Sequence, residues 1–234
     1  MSTETHAEST GPEVVGVDGA GESWVAVALV GERFARAEVF RELPALPRVF
    51  PRASVFAIDV PMLLPDDRSR GVDTMLRRRR GVVASTVFST PPRQALTAAD
   101  YEAAQAWCRA RNLKGFSQQA WALREKILDA ERLLAVRADV PVVEVHPEAS
   151  FAAMNHHQPL RGSKRSWNGT MQRRALLAQH GIVLPEEFTG AVGGVAVDDL
   201  LDAAAAAWSA LRYARGDGRY ERLCVEGEPA FVVV

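Results

Sequence analysis

Cysteine is scarce in this chain, and neither of the two that occur has a partner nearby in the sequence. Cys108 and Cys224 lack the close spacing of zinc ligands, and the adjacent His156 and His157 lie in a polar stretch typical of solvated loops. The absence of clustered Cys and His ligands argues against a zinc enzyme. Two separated cysteines fit packing roles in a reducing cytoplasm, where we expect the protein to reside.

Long apolar runs are also missing. The longest, at 203–208 and 231–234, fall far short of the roughly 20 residues that cross a membrane. The first twelve residues lack the basic and apolar regions of a signal peptide, so we expect 1–12 to be a disordered tail. No internal repeat or low-complexity linker interrupts the remainder, which predicts a single domain over 13–234. The formal net charge of −1 neither favours nor excludes a nucleic-acid partner.

Apolar, β-branched runs bounded by turn residues are what the chain does contain. Two such runs between Val14 and Leu29 flank Gly19-Ala-Gly-Glu-Ser23, which predicts a β-hairpin. The alternating segment Arg33–Phe40 adds a third strand to an antiparallel meander. Further buried strands are predicted at 54–61 and 140–148. The expected fold class is therefore α/β with a mixed sheet.

Helical periodicity accounts for much of the rest. We predict a brief helix or loop at 43–50, helices at 97–111, 118–136, 148–154, 170–180 and 197–215, and a terminal hairpin from 223–226 and 230–234. Residues 68–83, with four consecutive arginines, and the double-proline stretch 84–93 are interpreted as a loop excursion beside the site.

Two buried strands each end in an aspartate, Asp18 and Asp59. An ionised carboxylate in such a position costs several kcal/mol unless it is paired or binds a cation. Asp18 has an ordinary alternative role, since Asp caps turns by accepting backbone N–H bonds. The recurrence of the arrangement is more informative than either instance.

The last long helix begins with a further acidic pair. Asp199 and Asp202 lie three residues apart, which puts both carboxylates on one face near the positive end of the helix dipole. Capping alone would explain Asp198 or Asp199. Asp202 lies one turn further in, beside an alanine-rich face, where a carboxylate needs a cation. Acids at two strand ends and one helix start form a ligand set suited to Mg²⁺ or Mn²⁺.

The strand at 140–148 carries a second tier of candidates. Glu144 and His146 project to the same side, so either could act as an additional ligand or as a general base. Glu144 could equally pair with an arginine of the basic loops. Glu148 fits the start of the following helix, where an acidic side chain is stabilising.

Two stretches without acidic residues, 75–99 and 155–185, supply positive charge. Such charge holds phosphate backbones, and Arg93, Lys164 and Arg173 are the candidate phosphate contacts. Trp167 is a candidate for stacking on a base or sugar. The alternative is that these charges form ordinary solvated faces.

Six motifs follow one another along the chain: Val17-Asp18-Gly19, Ala57–Pro61, Ser85–Arg93, Glu144–Glu148 with Phe151, Lys164 through Gly169 to Arg173, and Asp198–Ala203. In this order, from about Val14 to Gly216, the sequence resembles the predicted nucleases catalogued as domain of unknown function 429. The resemblance implies a ribonuclease-H-like fold. One departure is the Gly-Ala-Gly-Glu-Ser turn after the first strand, where a Cys-Pro-Gly-Gly type of turn is expected.

The resemblance also implies roles for the acids. Asp18 would be the first-strand ligand and Asp59 the fourth-strand acid. Asp199 and Asp202 form an Asp-x-x-Asp pair similar to the terminal helix of RuvC-type resolvases. With a bound Mg²⁺ or Mn²⁺, these residues predict a nuclease that hydrolyses phosphodiester bonds of DNA or RNA.

Two other functions remain open at this point. The Asp18–Ser23 turn is similar to the phosphate hairpin of actin-like ATPases, which suggests nucleotide phosphotransfer, although 234 residues hardly allow the two lobes of those enzymes. The other is a non-catalytic module on the same fold that binds nucleic acid or protein. We expect no membrane association, and a homodimer is a further expectation.

Overall fold

A computed structural model describes residues 11–136, 139–216 and 218–234. Most of the predicted tail, 1–10, lies outside the described residues. Pro12 already belongs to the fold, because its carbonyl accepts a hydrogen bond from the Gly31 amide at 3.2 Å. The single domain over 13–234 stays a prediction.

The described residues form one seven-stranded sheet. Its strands are β1 (Glu13–Ala20), β2 (Ser23–Val30), β3 (Arg33–Phe40), β4 (Ala53–Ile58), β5 (Val142–Val145), β6 (Arg222–Cys224) and β7 (Phe231–Val233). They lie in the order β3-β2-β1-β4-β5-β7-β6. β1, β2 and β3 pair antiparallel. β4 is parallel to β1, β5 to β4, and β7 to β5, while β6 returns antiparallel to β7. The predicted mixed sheet, its antiparallel meander and the terminal hairpin are confirmed.

Helices flank the sheet. They are α1 (Leu46–Val49), α2 (Gly71–Arg78), α3 (Arg93–Leu96), α4 (Tyr101–Arg109), α5 (Gln118–Ala122), α6 (Arg124–Ala135), α7 (Pro147–Met154), α8 (Trp167–Gln179) and α9 (Val197–Arg215). Short 3-10 helices occupy Leu43–Ala45, Ala84–Thr86 and Gly190–Gly194.

Two sequence-based interpretations in this set are wrong. Residues 68–83 are not a loop excursion, because α2 runs through them and buries Val72 and Leu76. The start of α2 is fixed by Glu228, whose carboxylate accepts a hydrogen bond from the Gly71 amide at 2.9 Å. The predicted helix at 118–136 is two helices, α5 and α6, which meet at Leu123.

The core lies on both faces of the sheet, because alternate residues of each strand point to opposite sides. On one face Val14, Val27 and Ala57 pack with α7, α8 and α9. On the other, Val15 and Phe56 pack with α6 and the 3-10 helix at Leu43. The result is a three-layer α/β/α arrangement.

The close approach of α9 to β1 positions the acidic residues. A Cβ on Gly16 would lie 2.0 Å from the Ala207 amide nitrogen and 2.2 Å from the Ala203 carbonyl oxygen, so only glycine fits there. Ala203 and Ala207 are fully buried against the strand. Asp18, two residues beyond Gly16, is thereby brought beside the first turns of α9, where Asp202 lies.

Candidate active site

An open cleft of about 1050 Å³ lies at the carboxyl ends of the parallel strands. Its lining contains the four predicted aspartates, Asp18, Asp59, Asp199 and Asp202. β1 and β4 are parallel, so residues that follow them emerge at the same sheet edge, which is where open α/β sheets bind ligands. The structure therefore brings together four acids that are up to 184 positions apart in the sequence.

Asp18 is buried at the end of β1. Its Oδ1 accepts a hydrogen bond from the amide of Gly19 at 2.7 Å, so the turn-capping interpretation describes one of its two oxygens. Burial, followed by the charges of Asp59 and Asp202, raises the pKa of Asp18 well above its ordinary value. The surroundings of Asp18 therefore supply too little positive charge to stabilise its ionised form.

Asp59 is held against β1 by its backbone, whose amide donates to the Val17 carbonyl at 2.9 Å. Its side chain is half-buried. Burial and the neighbouring Asp202 charge raise the pKa of Asp59 well above its ordinary value, while Lys164 acts in the opposite direction. Asp18 and Asp59 thus share one electrostatic environment with Asp202.

Asp202 is the most enclosed of the four, at 2% exposure. Its Oδ2 accepts a hydrogen bond from the Lys164 ammonium at 2.5 Å. Its Oδ1 is buried and has no hydrogen-bond partner. Burial raises the pKa of Asp202 to about 6 although Lys164 opposes the shift. Asp199, half-buried one turn earlier, has its pKa raised by burial and by Asp198.

Whether these residues fit a metal ion can be judged from their donors. Among the described residues, no three His, Cys, Asp or Glu side chains are arranged as a ready-made metal site. The chemistry of the donors nevertheless suits a hard divalent cation, which prefers carboxylate oxygens. The unpartnered Oδ1 of Asp202 is a buried acceptor that a cation would satisfy. A nearby cation would also favour the charged forms of Asp18 and Asp59.

Glu144 lies in the same cleft but is already engaged by the protein. Its Oε2 accepts the Met62 amide at 2.7 Å, and both of its oxygens accept Arg70 Nη2 at 2.8 Å. Burial raises the pKa of Glu144 to about 7 against the pull of Arg70. Of the three roles left open by the sequence, the structure shows the pairing with an arginine, Arg70. The bond to Met62 places Glu144 against the turn after β4, and its expected catalytic role stays a prediction.

His146 and Glu148 also line the cleft. The Nε2 of His146 lies 3.3 Å from the Thr86 carbonyl oxygen, which assigns the ring proton to Nε2. Its Nδ1 is buried without a partner, and burial lowers the pKa of the imidazole. A neutral ring with a free lone pair is chemically able to accept a proton. Glu148 is paired with Arg173 at 2.5 Å.

Arg173 lines the cleft, and its guanidinium is engaged by other groups of the protein. The side chain is buried and donates from Nη1 to the carbonyls of Gly162 and Gly169, at 3.1 and 3.3 Å. Its Nη2 pairs with Glu148, and the guanidinium lies over the Phe151 ring, 5.4 Å from its centroid. These contacts tie Arg173 to the 162–169 segment as a structural clamp, and its phosphate contact stays a prediction.

The other predicted substrate contacts are distributed differently. Arg93 lies outside the cleft lining and pairs with Glu131 at 3.0 Å, and its phosphate contact stays a prediction. Trp167 begins α8 with 75% of its surface exposed and does not line the cleft. Lys164 does line it, but its ammonium is bound to Asp202.

Positive charge at the cleft comes partly from residues outside the two predicted basic stretches. Three separate parts of the chain contribute basic side chains to the lining, which includes Arg41, Lys126, Arg132, Arg161 and Arg165. The four-arginine run contributes less than expected. Arg77 instead donates to the Val87 carbonyl and the Ser89 hydroxyl, bracing the wall of the cleft. Arg161 and Arg165 lie within the predicted basic stretch 155–185, whereas Arg41, Lys126 and Arg132 lie outside both stretches and the sequence did not indicate them. The high local charge of residues 77–80 suggested a place in the cleft lining that these arginines do not occupy.

Comparison with known proteins gives two matches. The family model described as "Protein of unknown function (DUF429)" matches residues 16–226. Among solved structures, the chain is similar to the "Thermus thermophilus RuvC structure", at 16% identity and a TM-score of 0.38, with 87% of this chain and 96% of that chain covered. No curated protein matches. The ribonuclease-H-like fold predicted from the sequence agrees with the strand order described above. Within the described residues, no helix is both long enough and apolar enough to cross a membrane.

Proposed function

The chain belongs to the DUF429 family, and from that premise we propose that it is a divalent-metal-dependent hydrolase of phosphodiester bonds in nucleic acid. The observation that carries the proposal is the convergence of four aspartates on one cleft, with a buried Asp202 oxygen left without a partner. Burial raises the pKa values of Asp18 and Asp59, and so does the negative charge of nearby carboxylates, among them Asp202. A bound cation would offset this repulsion.

Asp18, Asp59 and Asp202 would hold the ion, with Asp199 at the edge of the same group. A bound Mg²⁺ or Mn²⁺ supplies an activated water and stabilises charge on the leaving oxygen. The residues of the chain orient that chemistry. Asp202 is fixed by the packing of α9 on β1, and Asp59 by its backbone hydrogen bond to Val17.

The substrate class follows from the charges around the acidic centre. The lining includes Arg161 and Arg165 from one part of the chain, together with Arg41, Lys126 and Arg132 from other parts. Guanidinium and ammonium groups spaced along an open cleft suit a polyanionic backbone. DNA or RNA is therefore the proposed partner. We also propose a cytoplasmic location, since Cys108 and Cys224 are both free thiols.

The test is a cleavage assay on labelled single- and double-stranded DNA and RNA, with Mg²⁺ or Mn²⁺ added to metal-free protein. We expect Asp18→Asn and Asp202→Asn to lower the rate by at least about 100-fold, because even outer-shell changes at metal sites cost 10- to 100-fold. Asp67→Asn is the matched control, since Asp67 is exposed and does not line the cleft.

Two results would replace the proposal. Binding of nucleic acid without cleavage, combined with no thermal shift on adding metal, would indicate a non-catalytic module. Calorimetric binding of ATP with no action on any nucleic acid would favour nucleotide phosphotransfer. Unchanged cleavage in both aspartate variants would show that the reaction takes place elsewhere.

A further inference from the structure

Lys164 occupies an unusual position for a residue expected to hold phosphate. Its ammonium lies 2.5 Å from Asp202 Oδ2 inside the acidic cluster. The other cations near the cluster are held elsewhere. Lys126 contacts the Ser23 carbonyl and lies over the Trp24 ring, 4.1 Å from its centroid. Arg165 pairs with Asp198 at 3.5 Å.

The charge of Lys164 acts on more than its direct partner. It lowers the pKa of Asp18, Asp59 and Asp202 alike, although burial and mutual repulsion keep all three values raised. One ammonium therefore faces three carboxylates, and the cluster stays under-neutralised. A divalent cation in the same place would bring twice the charge and could satisfy the free Oδ1 of Asp202 as well.

The local structure allows the side chain to move while its backbone stays fixed. The Lys164 carbonyl accepts the Thr170 hydroxyl at 3.1 Å, and Arg173 clamps the neighbouring Gly162. The Lys164 side chain is 35% exposed, so a path to solvent exists. Four rotatable bonds carry the ammonium, which can leave Asp202 without disturbing the segment.

We propose that Lys164 is a built-in counter-ion of the metal-free site, which the incoming divalent cation displaces and which then binds a phosphate group of the substrate. The proposal rests on the metal-dependent function above and assigns one residue to two successive partners. Lys164 stabilises the empty acidic cluster and competes with the metal. Once released, it lies at the mouth of the same cleft, where an anionic substrate would meet it.

This exchange has a signature that a simple supporting residue lacks. Removing the charge of Lys164 should strengthen metal binding and weaken substrate binding at the same time. A residue that merely holds the site in shape would weaken both.

The first experiment is calorimetric titration of the metal-free full chain with MnCl₂, in the absence of substrate. We expect Lys164→Met to lower the Kd for Mn²⁺ by about tenfold, which corresponds to about 1.4 kcal/mol. Lys126→Met is the matched control, because Lys126 lines the same cleft without pairing with a carboxylate, and it should shift the Kd less than threefold. An unchanged or higher Kd in Lys164→Met overturns the exchange.

A second experiment uses the unaltered protein and does not depend on the variant's folding. The chain has three lysines, Lys114, Lys126 and Lys164, so amine acylation can be mapped residue by residue with mass spectrometry. A salt-bridged ammonium acylates slowly because its proton is held. Saturating Mn²⁺ should therefore raise the labelling of Lys164 at least threefold and leave the exposed Lys114 unchanged.

The two experiments separate this inference from the proposed function. If Mn²⁺ binds but the labelling of Lys164 stays constant or falls, the counter-ion role is wrong and the metal-dependent hydrolase stands. If neither the parent protein nor Lys164→Met binds Mn²⁺, the proposed function fails and the exchange fails with it.

Discussion

Replacement of Arg173 tests whether this buried arginine stabilises the fold or binds phosphate. Arg173→Gln removes a buried charge that pairs with Glu148 at 2.5 Å and also donates to the carbonyls of Gly162 and Gly169. Removing one partner of a buried pair costs about 3–5 kcal/mol. The Glu148 side chain is 16% exposed, so water can relieve part of its lost pairing. We therefore expect a loss near the lower limit, about 3 kcal/mol.

The assay is urea unfolding of the metal-free protein followed by circular dichroism. Arg165→Gln is the matched control, because Arg165 pairs with Asp198 at the surface with 82% of its side chain exposed. Exposed pairs of this kind contribute about 0–1 kcal/mol, so the control should unfold almost as the parent does. The double variant Arg173→Gln/Glu148→Gln should recover part of the loss, since no unpaired carboxylate remains.

A different result would support the phosphate contact predicted for Arg173 from the sequence. If Arg173→Gln unfolds within about 0.5 kcal/mol of the parent, the range typical of neutral surface changes, while substrate affinity falls, Arg173 contacts substrate and the clamp is refuted.

Three further predictions concern stability and binding. The raised pKa of Asp202, about 6, means that the folded protein binds more protons than the unfolded chain between about pH 4 and 6. As the pH rises from about 4 to about 6, calorimetry on metal-free protein should show the free energy of unfolding falling by roughly 3 kcal/mol because of this group. Mn²⁺ should reduce that fall. Gly16→Ala should destabilise by about 3 kcal/mol or prevent folding, since its Cβ would lie 2.0 Å from the Ala207 nitrogen, whereas Gly194→Ala, in open space, should melt normally. Trp167→Ala should leave the melting temperature unchanged but weaken single-stranded nucleic acid binding by about 1–3 kcal/mol in fluorescence titration if the ring stacks on a base.

The sequence predicted the elements whose signals are local. α9 occupies the predicted 197–215, because its alanine-rich run is bounded by Gly216, which adopts a φ of 60° that ends the helix. The hairpins were predictable from turn residues between apolar runs. α2 was not, because its arginine run obscured an apolar face whose partners come from the terminal hairpin.

The candidate site likewise contains features that the sequence predicted and features that it did not. The convergence of Asp18 and Asp59 follows from their places at the ends of neighbouring parallel strands. The partners of the basic residues could not be predicted from the sequence. Lys164 and Asp202 are 38 positions apart, and no feature of the sequence near Lys164 indicates whether its ammonium binds a phosphate or a carboxylate. Spatial proximity, rather than residue type, decided which groups each arginine binds.

Metal binding by the aspartates of the cleft can be observed directly in a crystal structure of the protein with Mn²⁺, which is located by its anomalous scattering. We expect a peak in the cleft with Asp202 Oδ1 and oxygens of Asp18 and Asp59 at roughly 2.0–2.2 Å, distances typical of small divalent ions with oxygen ligands. A cleft without a peak at saturating Mn²⁺, or ions bound only at other surfaces, would contradict this expectation.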